Sequence, residues 1–274
     1  FSLSANIEEG LSKNFQYIVT PNARDVASGL VDGYRTGIHS FTIIGSYGTG
    51  KSSFLLALEK DLQSKGSYSL LNPHTLSANA KFDVLKIVGD YKDLVSLMRD
   101  KLSVDGTADN VLDRLREIYN QAKKQGKFLV IFIDEFGKVL EHAAKNNPEQ
   151  ELYFMQKLAE FVNVSTRQIL LVTTLHQNFS AYARKLSTLQ KEEWTKVKGR
   201  FKELVFIEPV EQLLYLASTQ LNTKNDVGID AESLQQLCQL AKTTKFVSDS
   251  FTSDTANALY PLEPFSAYAI TQAI

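Results

Sequence analysis

The stretch "FTIIGSYGTGKSSFLLALEKDL", Phe41 to Leu62, constrains the fold more than any other segment. It opens with an apolar run and closes with leucines and alanines at helical spacing, so a buried strand turns into a helix at "GSYGTGKSS". At that turn Gly45, Gly50, Lys51 and Ser52 match the pattern G-x-x-x-x-G-K-[ST]. Glycines let the backbone direct its N–H groups toward one point, and the helix that follows adds its positive end. The turn therefore reads as a cage for phosphate oxygens, with Gly45, Ser46, Tyr47, Gly48, Thr49, Gly50, Lys51, Ser52 and Ser53 as its candidate residues. Lys51 would reach the β- and γ-phosphates as a point charge, and the Ser52 hydroxyl would take one position on Mg²⁺. The plainer alternative is a glycine-rich turn with no ligand.

A second segment narrows the chemistry. In "FLVIFIDEFGK" an apolar strand ends in Asp134 followed directly by Glu135. Two carboxylates at the end of a buried strand are costly unless each meets a cation, a donor or water. Separate tasks explain the pair: Asp134 can hold Mg²⁺ through its waters, and Glu135 can polarise the water that attacks a γ-phosphate. A solvated acidic strand end is the competing account.

The remaining pattern alternates apolar runs with helical ones, as a parallel sheet covered by helices requires. Strands are expected at Ser40–Gly45, Phe82–Gly89, Phe128–Glu135, Gln168–Thr174 and Glu203–Glu208. The third and fourth are apolar almost throughout and should be central. Helices are expected at Asp25–Arg35, Ser52–Gln63, Tyr91–Leu102, Ala108–Lys124, Glu149–Val164 and Ser180–Val197. Beyond Pro209 only helices remain, one of them behind the N-cap Asp230, while "TTKFVSDSFTSDTANA" reads as a loop or bridge. The fold class is thus α/β: a parallel five-stranded core flanked by helices over residues 1–208, followed by the start of a helical domain over 209–274.

Composition excludes other classes. With 43% hydrophobic residues in 274, the chain can bury a sizeable core, yet no apolar run approaches the roughly 20 residues that cross a bilayer. The opening "FSLSANIEEG" lacks the regions of a signal peptide, so no membrane partner and a cytoplasmic location are expected. A lone cysteine, Cys238, excludes an internal disulfide and reads as helix packing. The net charge of −1 shows no pervasive nucleic-acid footprint, which leaves room for a local basic groove. A start without methionine and an end within a helical pattern point to a piece of a longer protein.

Taken together, "GSYGTGKS" and "FLVIFIDE" resemble the Walker A and Walker B motifs of P-loop ATPases, and the order of the features resembles the AAA+ branch. The resemblance implies ATP and Mg²⁺ as cofactors, and a lid in the helical region. It places a sensor-1 residue at the end of the fourth strand, where Thr174 is the choice and Thr173 and His176 are competitors. It also implies that Arg200, in "KGRFKELVF", is an arginine finger reaching a neighbouring subunit; the alternative is a basic residue closing a helix. Tyr17, Ile18 and Val19 would border an adenine or staple the sheet. Softer phrases, "VTTLHQNFSAYA" and "LYPLEPFSAYAITQAI", resemble the BrxC/PglY-like ATPases of phage-defence systems. The implied activity is ATP hydrolysis coupled to assembly or movement on a macromolecule, with DNA favoured as target and a homo-oligomer or mixed assembly as the working form. The runner-up is a nucleotide-dependent oligomerisation switch with slow turnover, in the manner of STAND or origin-recognition proteins. The adjacent carboxylates disfavour a small-molecule kinase.

Overall fold

The computed structural model describes residues 6–9, 17–63, 68–208, 212–214, 216, 230–249, 251–260 and 262–272. The chain divides into two units, Phe1–Ile207 and Glu208–Ile274. In the first, β1 (Ser40–Ile44), β2 (Phe82–Val88), β3 (Phe128–Asp134), β4 (Ile169–Leu175) and β5 (Lys202–Val205) form one parallel sheet in the order β2-β3-β4-β1-β5. β4 lies in the middle, flanked by β3 and β1. The expectation of β3 and β4 as central therefore extends to β1, whose polar Ser40 and Thr42 are satisfied inside the protein.

Side-chain alternation divides β3 between two cores. Leu129, Ile131 and Ile133 join one apolar cluster, whereas Phe128, Val130 and Phe132 join the other. Helices α1 (Pro21–Arg35) and α2 (Lys51–Leu62) cover the second face. Helices α3 (Leu94–Leu102), α4 (Ala108–Lys124), α5 (Phe136–Lys145), α6 (Pro148–Val162), α7 (Phe179–Tyr182) and α8 (Thr188–Lys198) supply the first. Each fully buried Leu or Phe contributes roughly 1.5–3 kcal/mol, so this double layer holds the strand ends firmly where they meet. Tyr17 and Val19 pack against the cluster under α1 and α2, as a staple would.

Two helical expectations are corrected. The run Ser180–Val197 is broken into α7 and α8, because Ser187 starts a new helix with a capping box: its hydroxyl accepts from Gln190 N and its N–H donates to Gln190 Oε1. Helix α5 was not anticipated after Asp134, since Glu135 occupies its N-cap in a left-handed conformation (φ 51°, ψ 33°) and no usual cap signals it.

The second unit contains helices Ala231–Thr243, Ser253–Ala258 and Pro264–Gln272. Asp230 caps the first by accepting from the N–H groups of Glu232 and Ser233. Cys238 is buried in this unit's own core with Leu234, Val247 and Phe251. Part of the expected loop is helical: Thr252 accepts from Thr255 N and starts the turn at Ser253. Pro209 and most of the helical segment that follows it lie outside the described residues. Among the described residues, no helix is long and apolar enough to cross a membrane.

Candidate functional site

Parallel register brings the carboxyl ends of three strands together. Ile43 of β1 pairs with Thr174, and Ile133 of β3 pairs with Thr173, so the glycine-rich turn, Asp134 and Thr174 emerge along one edge. Gly45 begins the turn by donating its N–H to Leu175 O (3.0 Å), and Phe206 N donates to Ile44 O (2.6 Å) on the other side. A Cβ at Gly45 would collide with the Phe206 carbonyl, which explains the glycine by close approach. Gly48 and Gly50 have φ of +75° and +89°, which a side chain would strain. Thr49 closes the arch with a hydrogen bond from its hydroxyl to Ser46 O (2.9 Å).

Lys51 opens α2 and turns back over the arch, donating from Nζ to the carbonyls of Gly45 (2.5 Å) and Ser46 (2.8 Å). Burial depresses the basicity of its ammonium, and the nearby carboxylates of Asp134 and Glu135 act in the opposite direction. An ammonium partly stripped of water gains more from a bound polyanion than an exposed one does.

The acidic side is tightly ordered. Thr174 Oγ1 donates to Asp134 Oδ1 (2.6 Å) and accepts from Glu135 N (2.9 Å), while Glu135 N also donates to Asp134 Oδ1 (3.0 Å). Both bonds that Asp134 accepts fall on Oδ1, and no hydrogen bond among the described residues ends on Oδ2. The Glu135 carboxylate pairs with Lys138 one turn along α5, and that hydrogen bond raises the basicity of Lys138. Tyr47, Gly48, Gly50, Lys51, Ser52, Ser53, Asp134, Glu135 and Thr174 line one cavity of about 250 Å³. Gly45, Ser46 and Thr49 shape the arch behind it.

Of the sensor candidates, Thr173 faces away, with its hydroxyl on Thr42 Oγ1 (3.0 Å) and Phe41 O (3.2 Å). Thr174 and His176 both line the cavity. Arg200 does not: its guanidinium binds Glu160 (2.6 Å) and its carbonyl accepts from Ser40, at the opposite end of β1. The fold of the chain therefore keeps Arg200 away from its own glycine-rich turn.

The structure adds residues that sequence reasoning passed over. Gly89, just past β2, donates its N–H to Asp134 O (2.7 Å), and a Cβ there would collide with Glu135 O. Gly137 and Lys138 complete the cavity wall beside His176, already a sensor candidate, and a Cβ on Gly137 would strike the Tyr182 hydroxyl. A glycine directly after a strand, Gly89, and another two residues past Glu135, Gly137, are visible signals whose meaning depends on tertiary contact.

Ser52 and Asp134 fit a Mg²⁺ ion, since one hydroxyl and one carboxylate oxygen at a phosphate cage are the protein donors that this cation ordinarily takes. Among the described residues there is no group of three or more His, Cys, Asp or Glu that would favour a different metal.

Solved structures with a similar chain trace include the Aeropyrum pernix ORC2 protein in its ADPNP-ADP complexes, at 14% identity over 96% of this chain and 71% of that one, with a TM-score of 0.47. Cdc6p from Pyrobaculum aerophilum is similar at 14% identity over 96% and 65%, with a TM-score of 0.44. Drosophila ORC bound to DNA is similar at 15% identity over 93% and 65%, with a TM-score of 0.45. No curated protein matches the chain. The sequence profile of the ATPase family associated with various cellular activities (AAA) matches residues 41–193, which include the phosphate cage, the acidic pair and Thr174. On that match and on its five-stranded P-loop core, the chain belongs to the AAA family and is an ATPase.

Proposed function

We propose that the chain hydrolyses ATP with Mg²⁺ and couples turnover to assembly or movement on DNA, as part of a homo-oligomer or a mixed assembly. The observation that carries this reading is the convergence of Lys51, Ser52, Asp134, Glu135 and Thr174 on one cavity. Lys51 and the N-terminus of α2 bind the phosphates. Glu135 takes the proton of the attacking water. Thr174 fixes the Asp134 carboxylate and the backbone N–H of Glu135, so the acidic strand end keeps its place as charge moves. Ser52, and Asp134 through bound waters, would hold Mg²⁺, which would supply charge neutralisation of the phosphate oxygens. Arg200 serves a neighbouring chain, and the helical unit begins a lid. The phrases shared with BrxC/PglY-like ATPases support DNA as the target and anti-phage defence as the setting.

A second reading, an oligomerisation switch with slow turnover, is favoured by one contact. The Glu135 carboxylate is engaged by Lys138 and must leave it to reach a water. The test is ATPase rate per chain against protein concentration, with and without DNA. A rate that climbs with concentration and again with DNA supports the coupled ATPase. A flat, slow rate with ATP-driven oligomers supports the switch, and wild-type protein that binds no ATP overturns both.

A further inference from the structure

The crest of the phosphate cage is held from outside the motif. Tyr47 projects from the arch with 64% of its surface exposed, yet its ring stacks on the imidazole of His176 (centroids 4.5 Å, planes 20° apart). His176 lies just past β4 and is fixed in turn. Tyr182 Oη is 3.0 Å from His176 Nδ1, with the two rings edge to face at 5.4 Å. Glu141 Oε1 stands 3.7 Å from His176 Nε2.

The protonation states favour one arrangement. Burial pushes the Tyr182 phenol up, so it keeps its proton, and burial pushes the His176 imidazole down despite the opposing field of Glu141. A neutral imidazole and a protonated phenol share one hydrogen bond between Tyr182 Oη and Nδ1, with the Glu141 carboxylate beside Nε2. Gly137 makes the arrangement possible, because any side chain there would displace the Tyr182 hydroxyl. The result is an imidazole locked on its edges, with one face turned to Tyr47.

We propose that His176 is a positioning residue for the phosphate loop: held by Tyr182 and Glu141, it fixes Tyr47 and so the arch from Gly45 to Ser52 in the shape that receives a triphosphate. This rests on the reading of that arch as a phosphate cage. An arch with glycines at φ +75° and +89° has many accessible conformations, and each must be given up on binding. The stack removes part of that freedom beforehand, which lowers the entropy lost when phosphate arrives. Tyr47 and His176 make no hydrogen bond to Asp134 or Thr174, so the effect belongs to affinity more than to the chemical step.

The experiment is calorimetry of Mg-ATP binding to the 274-residue chain, with melting curves to verify folding and steady-state kinetics alongside. An aromatic contact of ordinary strength predicts that Tyr47→Ala and His176→Ala each raise Kd by about two- to tenfold. The double variant should be no weaker than the weaker single one, because both remove the same contact. His176→Phe keeps a ring for Tyr47 and should recover at least part of what His176→Ala loses. Tyr182→Phe leaves the buried ring in place and should weaken binding in the same direction, which covers the case of a misfolded His176→Ala. The losses should appear in Kd and KM more than in kcat. Unchanged affinity in Tyr47→Ala, additive losses in the double variant, or a fall in kcat at constant Kd would each overturn the proposal. Lys51→Ala separates the two levels. If it abolishes binding while Tyr47→Ala has no effect, only the role of His176 fails; if it too binds normally, the phosphate cage itself is wrong.

Discussion

Both ends of β1 carry polar groups and use them differently. At its amino end, Asn163 Oδ1 accepts from the N–H groups of His39 (2.8 Å) and Ser40 (3.0 Å), and Asn163 Nδ2 donates to Ser40 Oγ (2.7 Å) and Arg200 O (2.9 Å). Every one of these groups is matched by another from the same chain. At the carboxyl end, by contrast, a lysine, two carboxylates and several hydroxyls surround an open cavity of about 250 Å³. A closed polar network stabilises one fold, whereas convergent charges around a space leave binding capacity for a ligand. Substitutions at the two ends should accordingly fail in different ways.

Arg200 gives the largest expected effect and the sharpest challenge, since it belongs to the amino end by position and to catalysis by proposal. In assembled protein Arg200→Ala should lower turnover by about 10³-fold, the scale of an arginine finger, while the isolated chain keeps its ATP affinity. Mixing with Glu135→Gln chains, which retain Arg200, should restore activity in co-assembled oligomers. No rescue in proven mixed oligomers would return Arg200 to the structural network of its end. Next in size, Glu135→Gln should bind Mg-ATP but lose about 10²-fold or more of kcat, as removal of a general base does. Single-turnover hydrolysis at the wild-type rate would exclude Glu135 from that role.

Lys51→Ala should weaken ATP binding by about ten- to a hundredfold, the range of one charge-assisted hydrogen bond, with an unchanged melting temperature because no core volume is lost. Asn163→Ala should behave inversely. Four hydrogen bonds end on that amide, two of them from backbone N–H groups, so a destabilisation of about 1–3 kcal/mol is expected in urea titration, with ATP affinity retained in the folded fraction. A variant that keeps its stability but loses ATP would break the division between the ends.

The smallest effect concerns pH. His39 is buried at the amino end, with its ring against Tyr34 and Nδ1 donating to Val162 O (3.2 Å). Burial lowers its basicity, with the Val162 carbonyl acting against that shift. A group whose basicity falls on folding contributes stability above its unfolded value, about 6.5, and loses that contribution as pH falls through the folded value. Unfolding free energy should therefore decline on acidification below about pH 6.5, by at most about 1.4 kcal/mol per pH unit from this one proton. His39→Gln should flatten that limb of the stability profile; an identical slope in the variant would assign it to other groups.

How much of this was legible in the sequence varied with the range of the interactions. β3 could be read from "FLVIFID" because burial on both faces demands apolar residues throughout, and the glycine-rich turn because its backbone geometry demands particular residues in a short span. Helix α5 could not, since its N-cap residue Glu135 stands in a left-handed conformation that glutamate rarely adopts. The break between α7 and α8 was written in Ser187 and Gln190, but the charged run "QKEEWTKVK" continued the helical pattern and hid it. Lys138, Gly137 and Tyr182 acquire meaning only when α5 and α7 are folded against the end of β4. Local rules reveal the cage and the carboxylates; the groups that brace them depend on contacts between distant parts of the chain.

Glu135 has one more consequence. A side chain held at φ 51° costs on the order of 1 kcal/mol relative to glycine in the same place. A directed-evolution campaign scored on heat resistance alone would therefore be drawn toward replacing this residue, and its winners would be sturdier proteins without the proposed proton acceptor. On the proposed role of Glu135, function and durability compete at a single peptide unit.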